Sequence, residues 1–425
     1  MNCVPAPGIA DARRRLRLLV ALVITAGCAA AAPEPAAEER LYELAYTITP
    51  DPAQGTARVE LSVRQPRRLL RELSMDLPAS RFSGVDADGG ELVRDGERVS
   101  WLPGDSGGSL RWTVRVAHLR NGRLHDAIMT KDWALFRGSD LMPPAATRTL
   151  VGARSLTTLR FELPRGWSSL TRYRERDDVY LVTNDERRFD RPSGWMLLGR
   201  IGVRFETIAG VRVLVGGPTG QDVRRLDMLA FLNWTLPQLV GVLPDFPDRL
   251  TIISASDGVW RGGLSGPASL FLHAGLPLIS ENGTSTLLHE LMHVGMQVDS
   301  ADGADWIIEG FAEYYGLEIL RRSRTITARR FRAALDDLAD WGSSSASLCG
   351  GESTAATTAR AVAVFAGLHA ELREKRSRPD PLDELLRRLV AGGDDVTLAA
   401  LRRHARDIHG ELPDALGARK LPGCN

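Results

Sequence analysis

The chain has 425 residues, 44% of them hydrophobic, so it is long enough for two or three domains with substantial cores. Its 54 basic and 53 acidic residues give a formal net charge of +1. A charge this well balanced provides no global field for holding a nucleic acid or an anionic membrane surface. The composition therefore argues against a nucleic-acid-binding protein.

The N-terminus carries the pattern of an export signal. Basic residues from Arg13 to Arg17 precede the apolar run LLVALVITAG, which ends at Cys28. The tetrad TAGC that ends at Cys28 resembles the bacterial lipobox, whose cysteine is lipidated and becomes the new N-terminus. The resemblance implies a lipoprotein-type signal peptide over residues 1–28 with lipid on Cys28, followed by an Ala/Pro/Glu-rich linker over residues 29–39.

Two other leaders fit the same residues, namely a plain secretory signal cleaved after the alanine run and an uncleaved anchor. The apolar run is short for a full membrane span, which needs about 20 residues. All three leaders place the rest of the chain outside the cytoplasm. A lipid anchor predicts attachment to a membrane of the cell envelope, at the outer membrane or the periplasmic face.

Two cysteines remain in the mature chain if Cys3 is removed and Cys28 carries lipid, namely Cys349 and Cys424. An oxidising compartment and an even count favour a disulfide between them, which would tie the C-terminus to the loop after Trp341. Two free thiols are the alternative, because the sequence does not show whether the two residues lie close together.

Residues 40–205 are predicted to form an N-terminal β domain. Alternation of apolar and polar residues is typical of strands that bury one face, and Gly, Pro and Asp punctuate the segments. The segments with this pattern are LYELAYTITP, ARVELSVRQ, LRWTVRVAHL, TTLRFELP and DVYLVTN. They predict an antiparallel β-sandwich that ends near Phe205.

Residues 206–342 are predicted to form a second domain of mixed strands and helices. The segment QDVRRLDMLAFLNWTLPQLVGVL has helical periodicity, and we expect a kink or an end near Pro237. RLTIISAS and SLFLHAG then predict strands, and two helices flank the loop DSADGAD. Residues 343–425 are predicted to form a C-terminal helical region.

The stretch TSTLLHELMHVGMQV contains the pentad H-E-L-M-H. On a helix, His289 and His293 project from one face about one turn apart, with Glu290 beside them. Two imidazoles in this arrangement can bind a zinc ion, while the carboxylate serves as general base for a metal-activated water. A buried, metal-free histidine pair is the alternative, because the neighbouring residues are apolar.

A catalytic zinc takes three protein ligands and leaves a fourth position open. Glu309 lies 16 residues after His293, on a second helix that a short turn can bring antiparallel to the first. Its motif W-x-x-E-G-F-A-x-Y-Y resembles the third-ligand motif of gluzincin zinc metallopeptidases, closest to the glycyl aminopeptidase family and related alanyl-type aminopeptidases. The resemblance implies that His289, His293 and Glu309 are the zinc ligands and that Glu290 is the catalytic base.

The resemblance also covers the order of the domains. Those families have a β domain, a catalytic domain and a helical region in this order, and FELPRGW at Phe161–Trp167 looks like the end of their β domain. The resemblance implies a multidomain α+β fold with an N-terminal antiparallel β-sandwich, a thermolysin-like α/β catalytic domain and a C-terminal helical region.

Glu313 lies one turn beyond Glu309 on the same helix face. A carboxylate in this position can accept the N–H of a ligand histidine and fix the orientation of its ring. An ordinary solvated glutamate is the alternative.

The sequence departs from the family pattern at the strand before the zinc helix. Glycyl aminopeptidases carry Gly-Gly-Leu-Glu-His there, and the glutamate binds the free amino terminus of the substrate. This chain has Gly262, Gly263, Leu264, Ser265 and Gly266 instead. Ser265 cannot neutralise an ammonium group, so we do not expect a strict aminopeptidase, although the strand can still hold a peptide by backbone pairing.

A second departure concerns the group that stabilises the tetrahedral intermediate. The related families use a tyrosine on a later helix, whereas the last tyrosine of this chain is Tyr315. Thr358 or a neighbour takes that place, and His369 is a second candidate, although a surface position is the favoured prediction for His369.

Together these features predict a zinc-dependent metallopeptidase that hydrolyses peptide bonds in a peptide or protein substrate. The alternative is a catalytically impaired, zinc-bearing binding or scaffold protein of the envelope, and the two departures motivate it. Intact Glu290 argues against this alternative, because a purely structural zinc site needs no base.

Overall fold

The computed structural model describes residues 40–120, 122–184, 188–375, 379–393 and 395–424. The predicted signal peptide, the linker and Cys28 lie outside the described residues. None of the described helices is long and apolar enough to cross a membrane.

The N-terminal region consists of strands with one short helix. Its elements are β1 (Leu41–Asp51), β2 (Thr56–Arg64), β3 (Leu70–Asp76), β4 (Phe82–Asp88), β5 (Glu91–Asp95), β6 (Arg98–Leu102), β7 (Gly107–Arg115), β8 (His118–Leu119), β9 (His125–Met129), β10 (Trp133–Arg137), α1 (Gly138–Leu141), β11 (Ala145–Thr149), β12 (Arg154–Phe161), β13 (Ser168–Leu170), β14 (Arg174–Arg176), β15 (Val179–Val182) and β16 (Trp195–Gly199). The three sheets have the strand orders β14-β15-β12-β1-β2-β7-β4, β13-β16-β10-β9-β8 and β11-β3-β6-β5.

The three sheets share one apolar core. Buried and more exposed residues alternate along β1 and β2, because successive side chains of a strand point to opposite faces. Tyr42, Trp101 and Trp112 are among the largest side chains that are fully buried there.

Strand β1 pairs with β12 in parallel, from Leu41 opposite Arg154 to Ile48 opposite Phe161. The prediction of a purely antiparallel sandwich is wrong for this pair. Alternation along a strand fixes which side chains are buried but not which neighbour the strand takes, and the long chain between β1 and β12 permits a crossover. Phe161–Trp167, which resembles the end of a β domain, does not end the β region here, because β13 to β16 follow it.

The middle region contains a fourth sheet and four helices. Its elements are β17 (Ile201–Ile208), β18 (Val211–Pro218), α2 (Arg225–Val242), β19 (Arg249–Ala255), β20 (Gly263–Gly266), β21 (Ser269–His273), α3 (Thr286–Met296), α4 (Asp305–Arg322) and α5 (Ala328–Gly342). The sheet has the order β17-β18-β19-β21-β20, in which β18, β19 and β21 are parallel and β20 is an antiparallel edge strand.

Two predicted boundaries of this region, one after residue 205 and one near Pro237, lie inside regular elements of the structure. The boundary proposed after residue 205 falls inside β17, which forms a hairpin with β18. Helix α2 continues through Pro237 to Val242. A proline removes one N–H donor from a helix, and here the carbonyl left without that partner belongs to Asn233, which is exposed to water.

The C-terminal region is helical, as predicted. Its elements are α6 (Ala355–Lys375), α7 (Pro381–Val390), α8 (Leu398–His409) and a 3₁₀ turn (Asp414–Leu416). The side chain of Asp380 accepts hydrogen bonds from the first backbone N–H groups of α7, and Pro381 occupies the first turn, where a missing donor is tolerated. A disulfide joins Cys349 to Cys424.

Glycines allow the helices around α4 to approach closely. A Cβ on Gly310 would lie 2.6 Å from Cβ of Ala361 and 2.7 Å from the ring of Phe365, so α6 rests directly on this turn of α4. A Cβ on Gly316 would lie 3.8 Å from the backbone nitrogen of His289, which places α3 against the other side. At the level of sheets and helices, the predicted α+β chain with a helical C-terminal region is confirmed.

Candidate metal centre

Helix α3 is fixed in place by its cap and its apolar side. The side chain of Ser285 accepts a hydrogen bond from the backbone N–H of Leu288, which satisfies one donor of the first turn. Apolar residues of the helix pack into the core, among them Leu291 and Met292. His289 and His293 lie on another side and are partly exposed, because this side faces α4 and a cavity.

Helix α4 brings two carboxylates to the histidines. Oxygens of Glu309 lie 3.3 Å from Nε2 of His289 and 3.3 Å from Nε2 of His293. The two Nε2 atoms lie 3.1 Å apart. One donor atom from each of the three residues therefore falls within a sphere small enough for a metal ion, with all three atoms within 4.8 Å of one another.

Glu313 touches the ring of His289 on the side away from the triad. Nδ1 of His289 lies 2.9 Å from Oε2 of Glu313, and Nδ1–H donates to the carboxylate. This contact fixes the ring so that Nε2 faces Glu309 and carries a lone pair when the imidazole is neutral.

Glu290 lies between α3 and the edge strand β20. Its side chain is only 8% exposed, and a Cβ on Gly263 would lie 2.4 Å from Cγ of Glu290. The absence of a side chain at Gly263 therefore makes room for the carboxylate. Burial raises the pKa of Glu290, against the lowering effect of His289 and of hydrogen bonds from Ser265.

Burial and the neighbouring charges shift the pKa values of all three triad residues. Burial lowers the pKa of His289, but hydrogen bonds to Glu309 and Glu313 outweigh burial and raise this pKa well above its usual value. Burial, with the neighbouring charge of His289, lowers the pKa of His293 to about 4. Glu309 has a lowered pKa, because the two histidines outweigh its burial. Shifted pKa values among neighbouring ionisable side chains are common at functional sites.

The structure corrects the prediction for His369. This residue is 4% exposed, and its ring lies 2.7 Å from the hydroxyl of Tyr314 and 3.1 Å from a carboxylate oxygen of Asp380. Both ring nitrogens are therefore occupied, so His369 is neither a surface residue nor a free donor for a reacting group. Tyr315 is equally engaged, because its hydroxyl donates to Asp383. Within the described residues, no hydrogen bond links Thr358 to the triad.

A cavity of about 550 Å³ adjoins the triad at His293. Ser265 and Gly266 of β20 line one side, and Arg172 and Arg191 of the N-terminal region line another. Sequence reasoning missed both arginines. Arg172 and Arg191 lie about a hundred residues before α3, in segments that connect strands and have no motif, so no local signal links them to the site.

Comparisons with known proteins support the fold. No protein-family model and no curated protein matches the sequence. The crystal structure of an aminopeptidase N family protein from Idiomarina loihiensis is similar, with a TM-score of 0.64, 14% sequence identity, and coverage of 90% of this chain and 74% of that chain. At this identity the likeness shows an aminopeptidase-like fold, and the function has to be argued from the site.

Proposed function

We propose that this protein is a zinc-dependent peptide hydrolase of the gluzincin type, with a thermolysin-like catalytic domain. His289, His293 and Glu309 would hold the zinc, and Glu290 would be the general base. The geometry of the triad, together with an aminopeptidase-like fold, supports this function better than a metal-free histidine pair.

The spacing of the donor atoms carries the proposal. Zinc that binds four ligands tetrahedrally at about 2.0–2.1 Å requires donor atoms about 3.3 Å apart. The two Nε2 atoms lie 3.1 Å apart, Nε2 of His289 lies 3.3 Å from Oε2 of Glu309, and Nε2 of His293 lies 3.3 Å from Oε1 of Glu309. Two imidazole nitrogens and a carboxylate oxygen are also the donor types that catalytic zinc takes. One donor atom from each of the three residues lies within 4.8 Å of the other two, so the residues can supply three ligands to this metal.

Zinc, when bound here, supplies the positive charge that acidifies a water and polarises the carbonyl of the scissile bond. Glu290 accepts the proton of the attacking water and returns it to the leaving amine. Its burial against β20 moves its pKa upward from that of a free carboxyl group, toward the pH at which a base is most effective. Glu313 holds His289 in the orientation that the metal needs.

Strand β20 would position the substrate. It is the edge of the fourth sheet, so one row of its backbone groups is not paired within the sheet and can pair with an extended peptide. Ser265 lies on this strand beside Glu290 and offers no negative charge to a free amino terminus. We therefore propose that cleavage does not require a free amino terminus.

Hydrolysis of a peptide library with the purified protein tests this function. We expect cleavage of N-terminally blocked as well as free peptides, loss of cleavage after removal of the metal by a chelator, and recovery with one equivalent of zinc. Failure to cleave any peptide at full zinc occupancy would instead support the envelope scaffold. A requirement for a free amino terminus would leave the hydrolase but refute the role assigned to Ser265.

We further propose that the protein is exported and anchored by lipid on Cys28. The basic and apolar leader and its lipobox-like end support this location. Mass spectrometry of the mature N-terminus tests it, because an acylated cysteine is heavier than a free one. A mature chain that begins after residue 28 without acyl mass would contradict the anchor and leave export intact.

A further inference from the structure

The cavity beside His293 is lined by two arginines that have no carboxylate partner in the described part of the chain. Arg172 donates from Nη1 to the hydroxyl of Ser193 at 3.1 Å, and its guanidinium lies 5.0 Å from the centre of the Tyr173 ring. Arg191 donates from Nη1 to the backbone carbonyl of Met142 at 2.6 Å. Among the described residues, neither guanidinium forms an ion pair.

The wall that carries these arginines is held by its own hydrogen bonds. The hydroxyl of Tyr173 lies 3.2 Å from Oγ of Ser193 and accepts a hydrogen bond from the backbone N–H of Ser193 at 2.8 Å. Asn184 donates to the backbone carbonyl of Arg191 at 3.0 Å. Arg172 is therefore attached through Ser193 to a buried tyrosine, which limits the freedom of its side chain and prepares it for a ligand.

A partly buried guanidinium without a counter-charge has an unfavourable free energy of solvation until an anion binds to it. Burial lowers the pKa of Arg191, which means that the charged form loses hydration without gaining a counter-charge. A half-buried, unpaired charge costs free energy, and a carboxylate that forms charge-assisted hydrogen bonds with it recovers that cost.

The other charged group of the cavity does not alter this preference. Asp299 is the single carboxylate residue among those that line the cavity within the described part of the chain, and it is exposed to solvent. Along the described lining, two guanidinium groups against one carboxylate favour an anion over an ammonium group. The cavity thus has the opposite charge preference to a site for a free amino terminus.

The cavity also lies next to the bond that would be cleaved. Ser265 contacts Glu290 and at the same time lines the cavity, and His293 belongs to both the triad and the cavity wall. A peptide paired with β20 would therefore direct a residue close to its scissile bond into this space.

We propose that this cavity binds a carboxylate of the substrate through Arg172 and Arg191, so that the protein selects acidic peptides. The inference rests on the proposed peptide hydrolase function and adds the class of substrate to it. The carboxylate has two sources in a peptide, namely a glutamate or aspartate side chain and the C-terminal end. Both make the same bidentate hydrogen bonds with a guanidinium.

Calorimetric binding to full-length, zinc-loaded protein with Glu290→Gln tests the proposal, because this variant binds without consuming the peptide. The probes are alanine hexapeptides blocked at both ends, with one glutamate or one glutamine placed at each position in turn. A third set has glutamine and a free C-terminal carboxylate. We expect glutamate, or the free carboxylate, to tighten binding about tenfold at one position, as a charge-assisted hydrogen bond does.

Replacement of the arginines should remove this selectivity. Adding Arg172→Met or Arg191→Met should reduce the ratio of the two affinities to below about threefold, whereas Arg172→Lys, which keeps the charge, should retain most of it. Arg165→Met is the matched control, because Arg165 is exposed and does not line the cavity. The Arg172 variants keep the test decisive if Arg191→Met does not fold, because among the described residues Arg172 makes one side-chain hydrogen bond, to Ser193.

Equal binding of glutamate, glutamine and free-carboxylate peptides at every position would overturn the proposal, as would selectivity that survives both arginine replacements. Selectivity for the free carboxylate alone would support it and identify the chain end as the source. A protein that selects acidic peptides but cleaves none when Glu290 is intact would contradict the peptide hydrolase and leave this inference standing. Cleavage of peptides without this selectivity would support the peptide hydrolase and overturn the inference about acidic peptides.

Discussion

Replacement of Gly263 by alanine should displace the proposed base without removing the metal. The new Cβ would lie 2.4 Å from Cγ, 2.6 Å from Oε1 and 2.9 Å from Cδ of Glu290. Carbon atoms in favourable contact lie about 3.5 Å apart, so the carboxylate has to move by about 1 Å. A misplacement of this size costs about 100-fold in rate when it affects a reacting group. The triad donors are not among the atoms nearest to the new Cβ.

The assay is kcat/KM for a blocked peptide, together with zinc content and the urea midpoint of unfolding. Gly241→Ala is the matched control, because nothing lies within 4 Å of a Cβ at this position of α2. We expect Gly263→Ala to bind one zinc, to remain folded and to lose about 100-fold in kcat/KM. A rate within threefold of wild type in the folded, zinc-bound variant would refute the assignment of Glu290 as a base held against β20.

Three other predictions follow from the contacts of the site and its surroundings. Glu313→Ala should weaken zinc affinity about 10- to 100-fold, measured by competition with a chelator, because the His289 ring loses its orienting partner; unchanged affinity would make Glu313 an ordinary helix residue. Cys349→Ser should lower the free energy of unfolding by about 2–5 kcal/mol in urea titrations, because the disulfide closes a sequence separation of 75 residues; an unchanged midpoint in oxidised and reduced protein would contradict this. Burial raises the pKa of Asp380, but His369 and Arg322 outweigh burial and lower this pKa from 3.8 to about 2. The stabilisation by its charge is therefore complete above pH 3.8 and is lost as the pH falls through 2. The difference in urea midpoint between wild type and Asp380→Asn should therefore shrink as the pH falls from 3.8 to 2. A constant difference would show that ionisation of Asp380 does not stabilise the fold.

Helix geometry made part of the site predictable from the sequence. Residues four apart on a helix share a face, so the H-E-L-M-H pentad predicted that His289 and His293 meet, and their Nε2 atoms lie 3.1 Å apart. Glu309 lies on a second helix, so helix geometry alone did not predict it, and its place followed from the motif that resembles a third ligand. Its two oxygens lie at equal distances from the two histidines.

Features that depend on distant partners were not predictable. The parallel pairing of β1 with β12 is set by which strand arrives beside β1, and local alternation is the same for either direction. His369 was expected at the surface. It is buried because Tyr314 and Asp380, which lie elsewhere in the chain, satisfy both of its nitrogens.

The most direct test of the central claim compares turnover of a blocked peptide by the wild type and by Glu290→Gln at equal zinc occupancy. The substitution keeps the size of the side chain and removes its basicity, so zinc should remain bound through His289, His293 and Glu309. We predict that both proteins carry one zinc per chain and that Glu290→Gln turns over at least about 100-fold more slowly. Equal turnover by the two zinc-bound proteins would contradict the account.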